Sequence, residues 1–381
     1  MQIEDFSNEK GEDIMKVFNK RGLIAMLFVM VVLSLTGCQA KEANAVEAAK
    51  DGKTAANKMT AALTQVEVEV NTQVAGNINL LTGMPDLTPE AIGKRPVAVM
   101  VNNVKKAFPQ YGIEDADVIF EIPVEGGDTR FMALYGDYTT MPEICAIRSC
   151  RPYFPAFSEG FDAVYVNWGM MDEVRQYVNT LGLTHYEGLY NAGGLFSRDQ
   201  ARKDAGYALE HTGVFDGTRL DDVMHEKNQR TDIEAGKTDT AFKFAAINEV
   251  LTPTGDACTV VDVDFGHAEA TLKYDEATKT YLKEYNGEPQ IDGRTGNQLA
   301  FTNVLVLETN ISLAENGIHR DVNWHGGKGY YVSNGTMQKI TWSKSSESSR
   351  LMLYDEDGNE LVLNRGKSYI AVNYIGEASF E

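Results

Sequence analysis

Residues 118–153 read VIFEIPVEGGDTRFMALYGDYTTMPEICAIRSCRPY, and this stretch decides how the chain is organised. Its apolar runs over residues 131–135 and 144–147 have the length of strands and are bounded by turn residues. Gly126 and Gly127 give the backbone the freedom that a sharp reversal needs. The pattern therefore predicts a strand, a glycine turn, a second strand, a loop and a third strand that leads into an arginine-rich segment.

Three arginines near the ends of these strands are the sharpest candidate for a functional site. Strand ends are where an open α/β sheet usually carries its site, and a guanidinium group binds phosphate or carboxylate through two hydrogen bonds. The predicted anion-binding residues are Arg130, Arg148, Ser149, Arg151, Glu121 and Asp128. In this interpretation the serine adds a hydroxyl contact, and the two carboxylates orient the arginines or act as a base. Secondary candidates are Asn102, Asn103, Arg198, Asp199 and Arg202.

The alternative is a structural network of ion pairs, in which Glu121 and Asp128 only satisfy partly buried arginines. Such networks order charged groups as readily as a functional site does. Alternation along a strand also bears on the choice, because Arg148 and Arg151 are separated by an odd number of residues. A continuous strand would point these two side chains to opposite faces.

Length and charge limit the classes of function. The chain has 381 residues, a number that favours two domains or three. Its net charge of −20 argues against a nucleic-acid partner, because binding phosphates along a duplex requires many lysines and arginines. No sequence pattern of a cofactor site or a metal site is present, so no cofactor and no metal are expected.

The N-terminus carries the pattern of a secretory signal over residues 15–38. Three basic residues precede an apolar run over residues 22–35, and Leu-Thr-Gly-Cys closes the run at Cys38. Small residues before a cysteine resemble the bacterial lipobox. This resemblance implies a diacylglycerol lipid, with acyl chains such as palmitate, on Cys38, and so a cell-membrane anchor facing outside the cytoplasm. The alternative is an uncleaved anchor helix with an incidental cysteine.

The rest of the chain divides into three regions that differ in composition and in the pattern of apolar residues. Residues 39–78 are rich in Ala, Lys, Glu, Thr and Asn and are predicted to form a flexible tether. Residues 79–230 alternate apolar strands with helical patterns, including a helix over residues 172–181, and predict an α/β domain with a mixed sheet and helices. Residues 240–381 show short alternating runs between turn signals and predict a β-rich domain.

Cysteines and histidines indicate no further site. Cys145, Cys150 and Cys258 are an odd number, so they cannot form a complete disulfide framework, and buried thiols are expected. The six histidines have no metal-ligand spacing and are predicted to lie at the surface or in loops.

Several segments resemble the YerB-like lipoproteins of Gram-positive bacteria, a family with two domains of unknown function. The N-terminal segments are RPVAVMVNN (95–103), ADVIFE (116–121), EGGDTRF (125–131) and IRSCRPY (147–153). The C-terminal segments are QIDGRTGNQLAFTNVLV (290–306), NGTMQKITWSK (334–344) and DGNELVLNRGKSY (357–369). The family has a small residue where this chain has Cys150, and a Pro-His-Asn element that residues 203–207 lack. The second departure implies the loss of any chemistry that this histidine performs.

These observations favour a membrane-anchored extracytoplasmic lipoprotein that binds or scaffolds at the cell envelope. Its expected partners are the membrane, reached through the lipid on Cys38, and an envelope glycan, an anionic ligand or a protein. The first alternative is an enzyme or binder that acts on an anionic, phosphate-bearing envelope substrate through the arginine cluster. A transporter-linked solute receptor also fits the predicted location, although such receptors usually have two similar lobes and these halves differ.

Overall fold

The computed structural model describes residues 76–190, 194–235, 237 and 241–381, all within one compact unit over residues 71–381. The predicted signal peptide, Cys38 and the tether up to residue 75 lie outside the described residues. Within them, no helix is long and apolar enough to cross a membrane.

The described residues contain twenty-three strands and four α-helices. The strands are β1 Val97–Asn103, β2 Val118–Pro123, β3 Thr129–Tyr135, β4 Glu143–Cys145, β5 Val164–Asn167, β6 His185–Glu187, β7 Phe196–Arg198, β8 Gly213–Asp216, β9 Lys243–Phe244, β10 Val260–Asp264, β11 Glu269–Asp275, β12 Thr280–Tyr285, β13 Glu288–Pro289, β14 Ala300–Phe301, β15 Asn303–Thr309, β16 Ile311–Leu313, β17 Arg320–Val322, β18 Gly326–Ser333, β19 Thr336–Ser343, β20 Met352–Tyr354, β21 Val362–Leu363, β22 Ser368–Tyr374 and β23 Ala378–Phe380. The helices are α1 Tyr153–Glu159, α2 Asp172–Leu181, α3 Gln200–Asp204 and α4 Leu220–Glu226.

A ten-stranded mixed sheet forms the centre of the molecule, in the order β20-β19-β18-β15-β22-β2-β3-β1-β5-β6. Strands β1, β2 and β3 are buried along their whole length. Their sequences are near-continuous apolar runs, as expected for strands covered on both faces. The glycine turn joins β2 to β3 as predicted, with Gly126 and Gly127 at φ of 74° and 82°.

The central sheet contains strands from both predicted domains. Strand β2 pairs in parallel with β22, in a register that joins Val118 to Ser368 and Glu121 to Ala371. Strand β22 in turn pairs in parallel with β15. The predicted fold class is confirmed, because a mixed sheet with helices occupies the N-terminal part and strands dominate the C-terminal part. The two parts nevertheless share one sheet.

The two faces of the central sheet carry separate cores. One core includes Ile119 and Phe131 and packs against a six-stranded sheet, β13-β12-β11-β10-β23 with β14, and a three-stranded sheet, β4-β8-β7. The other core includes Phe120 and Met132 and packs against α1 and α2. Neighbouring residues of one strand thus serve different cores, so alternation decides which face each polar side chain at a strand end reaches.

Candidate functional site

The carboxyl ends of six strands lie along one edge of the central sheet. Strands β2, β22 and β15 are mutually parallel, as are β1, β5 and β6, and both β1 and β2 run antiparallel to β3. Ligands of open sheets bind outside this kind of edge. Buried polar residues at this edge are Asn102, Asn103, Glu121, Asn167, Glu187, Glu308 and Asn373.

The arginine-bearing segment enters this edge between β1 and β5. The amide of Arg148 donates to the carbonyl of Met100 at 2.9 Å, and the amide of Trp168 donates to the carbonyl of Arg148 at 3.0 Å. The amide of Cys150 then donates to the carbonyl of Gly169 at 3.0 Å. These bonds place residues 148–151 in the fork between the two strand ends. The third predicted strand itself ends early, since β4 stops at Cys145.

Glu125 stands between two of the predicted arginines. Arg130 Nη2 donates to Glu125 Oε1 at 2.9 Å, and Arg151 donates from Nε to Oε2 at 2.9 Å and from Nη2 to Oε1. The remaining Nη1 groups donate to backbone, from Arg130 to the Ser149 carbonyl at 2.6 Å and from Arg151 to the Cys150 carbonyl at 2.7 Å. Both arginines are buried, whereas the side chain of Glu125 is 30% exposed.

The charges of this cluster shift the pKa values of its members. Burial alone would raise the pKa of Glu125, but the hydrogen bond from Arg151 and the charges of both arginines outweigh burial and lower it to about 2. Burial and the neighbouring charge of Arg151 lower the pKa of Arg130 to about 10, against the opposing effect of Glu125. The cluster therefore holds two cations and one carboxylate at neutral pH.

Arg148 has a different partner and a different environment. Its Nη2 donates to Glu210 Oε2 at 3.0 Å, in a pair whose side chains are 24% and 53% exposed. Its Nε is buried and has no hydrogen-bond partner among the described residues. The hydroxyl of Ser149 donates to the Trp168 carbonyl at 3.1 Å, so this hydroxyl is engaged by backbone.

Glu121 lies on the opposite face of the sheet from Arg130. Its carboxylate is fully buried and pairs with the equally buried ammonium of Lys283 at 3.1 Å. Further donors to this carboxylate are Asn103 Nδ2, Thr129 Oγ1 and Tyr369 Oη, each at 2.7 Å. Burial lowers the pKa of Lys283, and the charge of Glu121 opposes that shift.

Two of the predicted roles are corrected by this placement. Glu125, rather than Glu121 or Asp128, orients the arginines, because alternation along β2 turns Glu121 toward the other core. Asp128 forms no ion pair with Arg130, Arg148 or Arg151 among the described residues, whose carboxylate partners are Glu125 and Glu210.

The secondary candidates make hydrogen bonds and stacking contacts within the loops beside residues 148–151. Asn102 Nδ2 lies 2.9 Å from His211 Nδ1, and Arg198 stacks on Trp168 with 3.8 Å between the guanidinium carbon and the ring centroid. The other contacts are those of Asp199, which caps α3 and accepts from Tyr111 Oη, and of Arg202, which donates to the carbonyls of Ala107, Pro109 and His211.

Sequence reasoning missed three residues that contact this edge from other elements, namely Lys283, Glu210 and His211. His211 lies in a short turn between α3 and β8, and its side chain is only about 4% exposed beside Asn102. The separation in sequence between Lys283 and Glu121 left no local signal. In the part of the chain that the structure describes, no group of three His, Cys, Asp or Glu residues could hold a metal ion. Cys145, Cys150 and Cys258 are buried free thiols, as expected.

Comparison with known proteins gives one consistent result. The family described as "Protein of unknown function (DUF3048) N-terminal domain" matches residues 81–230, and its C-terminal domain matches residues 261–370. The chain is 28% identical over 290 residues to the "Putative lipoprotein YerB" of Bacillus subtilis (strain 168), covering 73% of this chain and 81% of that protein. The crystal structure of YerB protein from Bacillus subtilis matches with a TM-score of 0.68 and 26% identity, over 79% of this chain and 98% of that one.

Proposed function

We propose that this chain, which belongs to the YerB-like family with its two DUF3048 domains, is a lipid-anchored extracytoplasmic protein. In this role it binds a component of the cell envelope and does not turn it over. The name of the Bacillus subtilis relative classes that protein as a lipoprotein. The Leu-Thr-Gly-Cys pattern that ends at Cys38 supports the same anchor here. The lipid would hold the folded body at the outer side of the membrane.

Binding without turnover is supported by one observation, the pairing of Glu125 with Arg130 and Arg151. A general base works best when its pKa is close to the operating pH, whereas the pKa of Glu125 is about 2. The carboxylate of Glu121 is likewise engaged, by Lys283 and three neutral donors. Neither Glu121 nor Glu125 is arranged for proton transfer to a ligand.

The test uses the full-length chain in a non-ionic detergent, mixed with peptidoglycan fragments, teichoic-acid fragments or phosphate. A ligand that binds only the folded state stabilises it by about 2.7 kcal/mol at a hundredfold excess over its Kd, so thermal melting detects it. We expect a raised Tm with one class of ligand and recovery of that ligand unchanged. Conversion of the ligand would contradict a binding-only role. Incorporation of labelled palmitate that persists in a Cys38→Ala variant would contradict lipidation at Cys38.

A second candidate function is binding of an anionic, phosphate-bearing ligand through the arginine cluster. The observation in its favour is a surplus of positive charge, because within the described part of the chain Arg130, Arg148 and Arg151 pair only with the carboxylates of Glu125 and Glu210. Loss of a hydrogen bond to a charged group costs about 1.5–3 kcal/mol. We therefore expect Arg148→Ala to abolish the phosphate-dependent rise in Tm, with each protein compared to its own melt without phosphate.

A further inference from the structure

We propose that Glu210 acts as an internal competitor at Arg148, holding the place that one oxygen of an external oxyanion would take. The ligand class is a group with two adjacent oxygens, such as a phosphate or a carboxylate. This inference rests on the second candidate function and adds to it a residue that sets the affinity of the site.

In Arg151 both donors along one edge of the guanidinium group are hydrogen-bonded, which makes this residue a reference for Arg148. Arg151 donates from Nε and Nη2, which lie along one edge of the planar guanidinium group, to the two oxygens of Glu125. This is the bidentate arrangement in which arginine binds carboxylates and phosphates most strongly. Arg148 uses only Nη2 of the same edge, toward one oxygen of Glu210.

The second donor of that edge is the buried Nε of Arg148, which has no hydrogen-bond partner among the described residues. A buried charged donor without a partner is costly, and most buried polar groups are paired. An oxyanion that bridges Nε and Nη2 would satisfy this donor. Because the carboxylate of Glu210 stands at Nη2, the same oxyanion must displace it.

The side chain of Glu210 can move away from Arg148 without any change in the backbone of its turn. It lies in the single 3-10 turn Leu209–His211, and its side chain is 53% exposed. The turn is fixed independently, because Arg198 Nη1 donates to the Leu209 carbonyl at 2.6 Å and Arg202 Nη1 donates to the His211 carbonyl at 3.1 Å. An exposed ion pair contributes little, so displacing Glu210 costs an incoming anion little.

The test compares wild type with Glu210→Gln, which keeps the shape of the side chain and removes its charge. Binding of inorganic phosphate, glycerol phosphate and acetate to the full-length chain in non-ionic detergent is measured by calorimetry, with chloride held constant. We expect Glu210→Gln to bind phosphate about two- to fivefold more tightly, the equivalent of one exposed ion pair. Arg148→Gln should weaken binding at least about tenfold in either background. Comparing the three anions separates a phosphate site from a carboxylate site.

The matched control is Glu360→Gln, which removes the same charge from an arginine pair elsewhere, that of Arg350. An equal gain in this control would show a general charge effect and overturn the role of Glu210. If wild type binds phosphate and Glu210→Gln does not bind it more tightly, the competitor role fails while the anion site stands. If neither protein binds any of the three anions, the inference and the second candidate function both fail. Binding by Glu210→Gln alone would support the inference in its strongest form.

Discussion

The two faces of the central sheet carry charged groups at the same edge, but the groups on one face are fully buried and those on the other are partly exposed. On one face, Glu121 and Lys283 are both fully buried, and every oxygen of the carboxylate is engaged. On the other face, Glu125 pairs with Arg130 and Arg151 but stays 30% exposed. A sealed pair can only specify how the layers pack, whereas a pair that solvent reaches can exchange partners. The two pairs therefore differ in their access to solvent, which only the cluster around Glu125 has.

Breaking the sealed pair should have the largest effect. Lys283→Met leaves the Glu121 carboxylate buried without its cation, and removing one partner of a buried pair costs about 3–5 kcal/mol. Chemical denaturation should show this loss in the free energy of unfolding. The double variant Glu121→Gln with Lys283→Met should recover much of it, because no unpaired charge remains buried. A loss of under about 1 kcal/mol in the single variant, an amount typical of exposed pairs, would mean that the pair is not sealed.

Breaking the accessible cluster should cost less. Glu125→Gln removes the carboxylate between Arg130 and Arg151, and hydrogen bonds to a charged group contribute about 1.5–3 kcal/mol. The free energy of unfolding should fall by about that amount at neutral pH. Glu276→Gln serves as the control, since Glu276 pairs with Lys279 in an exposed position. Equal effects of the two changes would remove the distinction between this cluster and an ordinary surface pair.

The pH dependence of stability sharpens the comparison. The folded-state pKa of Glu125, about 2, lies below its ordinary value of 4.5, so the carboxylate binds its proton less readily in the folded protein. Its contribution to stability is fully present above about pH 4.5 and is lost as pH falls through about 2. The difference in unfolding free energy between wild type and Glu125→Gln should therefore shrink between pH 4.5 and pH 2. A constant difference over this window would show that Glu125 is not stabilised by its charge.

The smallest effect on stability is expected at Arg148. Its pair with Glu210 is exposed, and such pairs contribute about 0.2–1 kcal/mol. Arg148→Gln should lower the free energy of unfolding by no more than that, while the proposed binding of phosphate should weaken at least about tenfold. A loss as large as that of Glu125→Gln would show that Arg148 is held as firmly as Arg130 and Arg151, which contradicts an easily exchanged pair with Glu210.

Local patterns predicted the elements well. The helix predicted over residues 172–181 is α2, Asp172–Leu181, because its apolar residues recur at the helical period. The near-continuous apolar run before Asn103 likewise predicted β1. The pairing of β2 with β22 could not be predicted, because no local pattern records which distant strand completes a sheet.

The candidate site was predicted in part for the same reason. The strand pattern placed the arginines near one edge. The argument from alternation did not apply, because β4 stops at Cys145 and residues 148–151 form no strand, although Arg148 and Arg151 do have different partners. The partners themselves depend on loop geometry. Glu125 reaches both Arg130 and Arg151 only because the glycine turn reverses the chain, and Glu210 reaches Arg148 from a distant turn.

The insertion of β22 between β2 and β15 has a consequence for the newly made chain. Synthesis proceeds from the N-terminus, so β2 exists long before Ser368–Tyr374 is available to pair with it. Until then β2 presents an unpaired apolar edge, and such edges recruit strands from other chains. The N-terminal region would thus remain incompletely paired and prone to aggregate until one of the last strands is synthesised. A chain interrupted near residue 230 would keep that edge open permanently, and a chaperone that shields strand edges would protect it until β22 arrives.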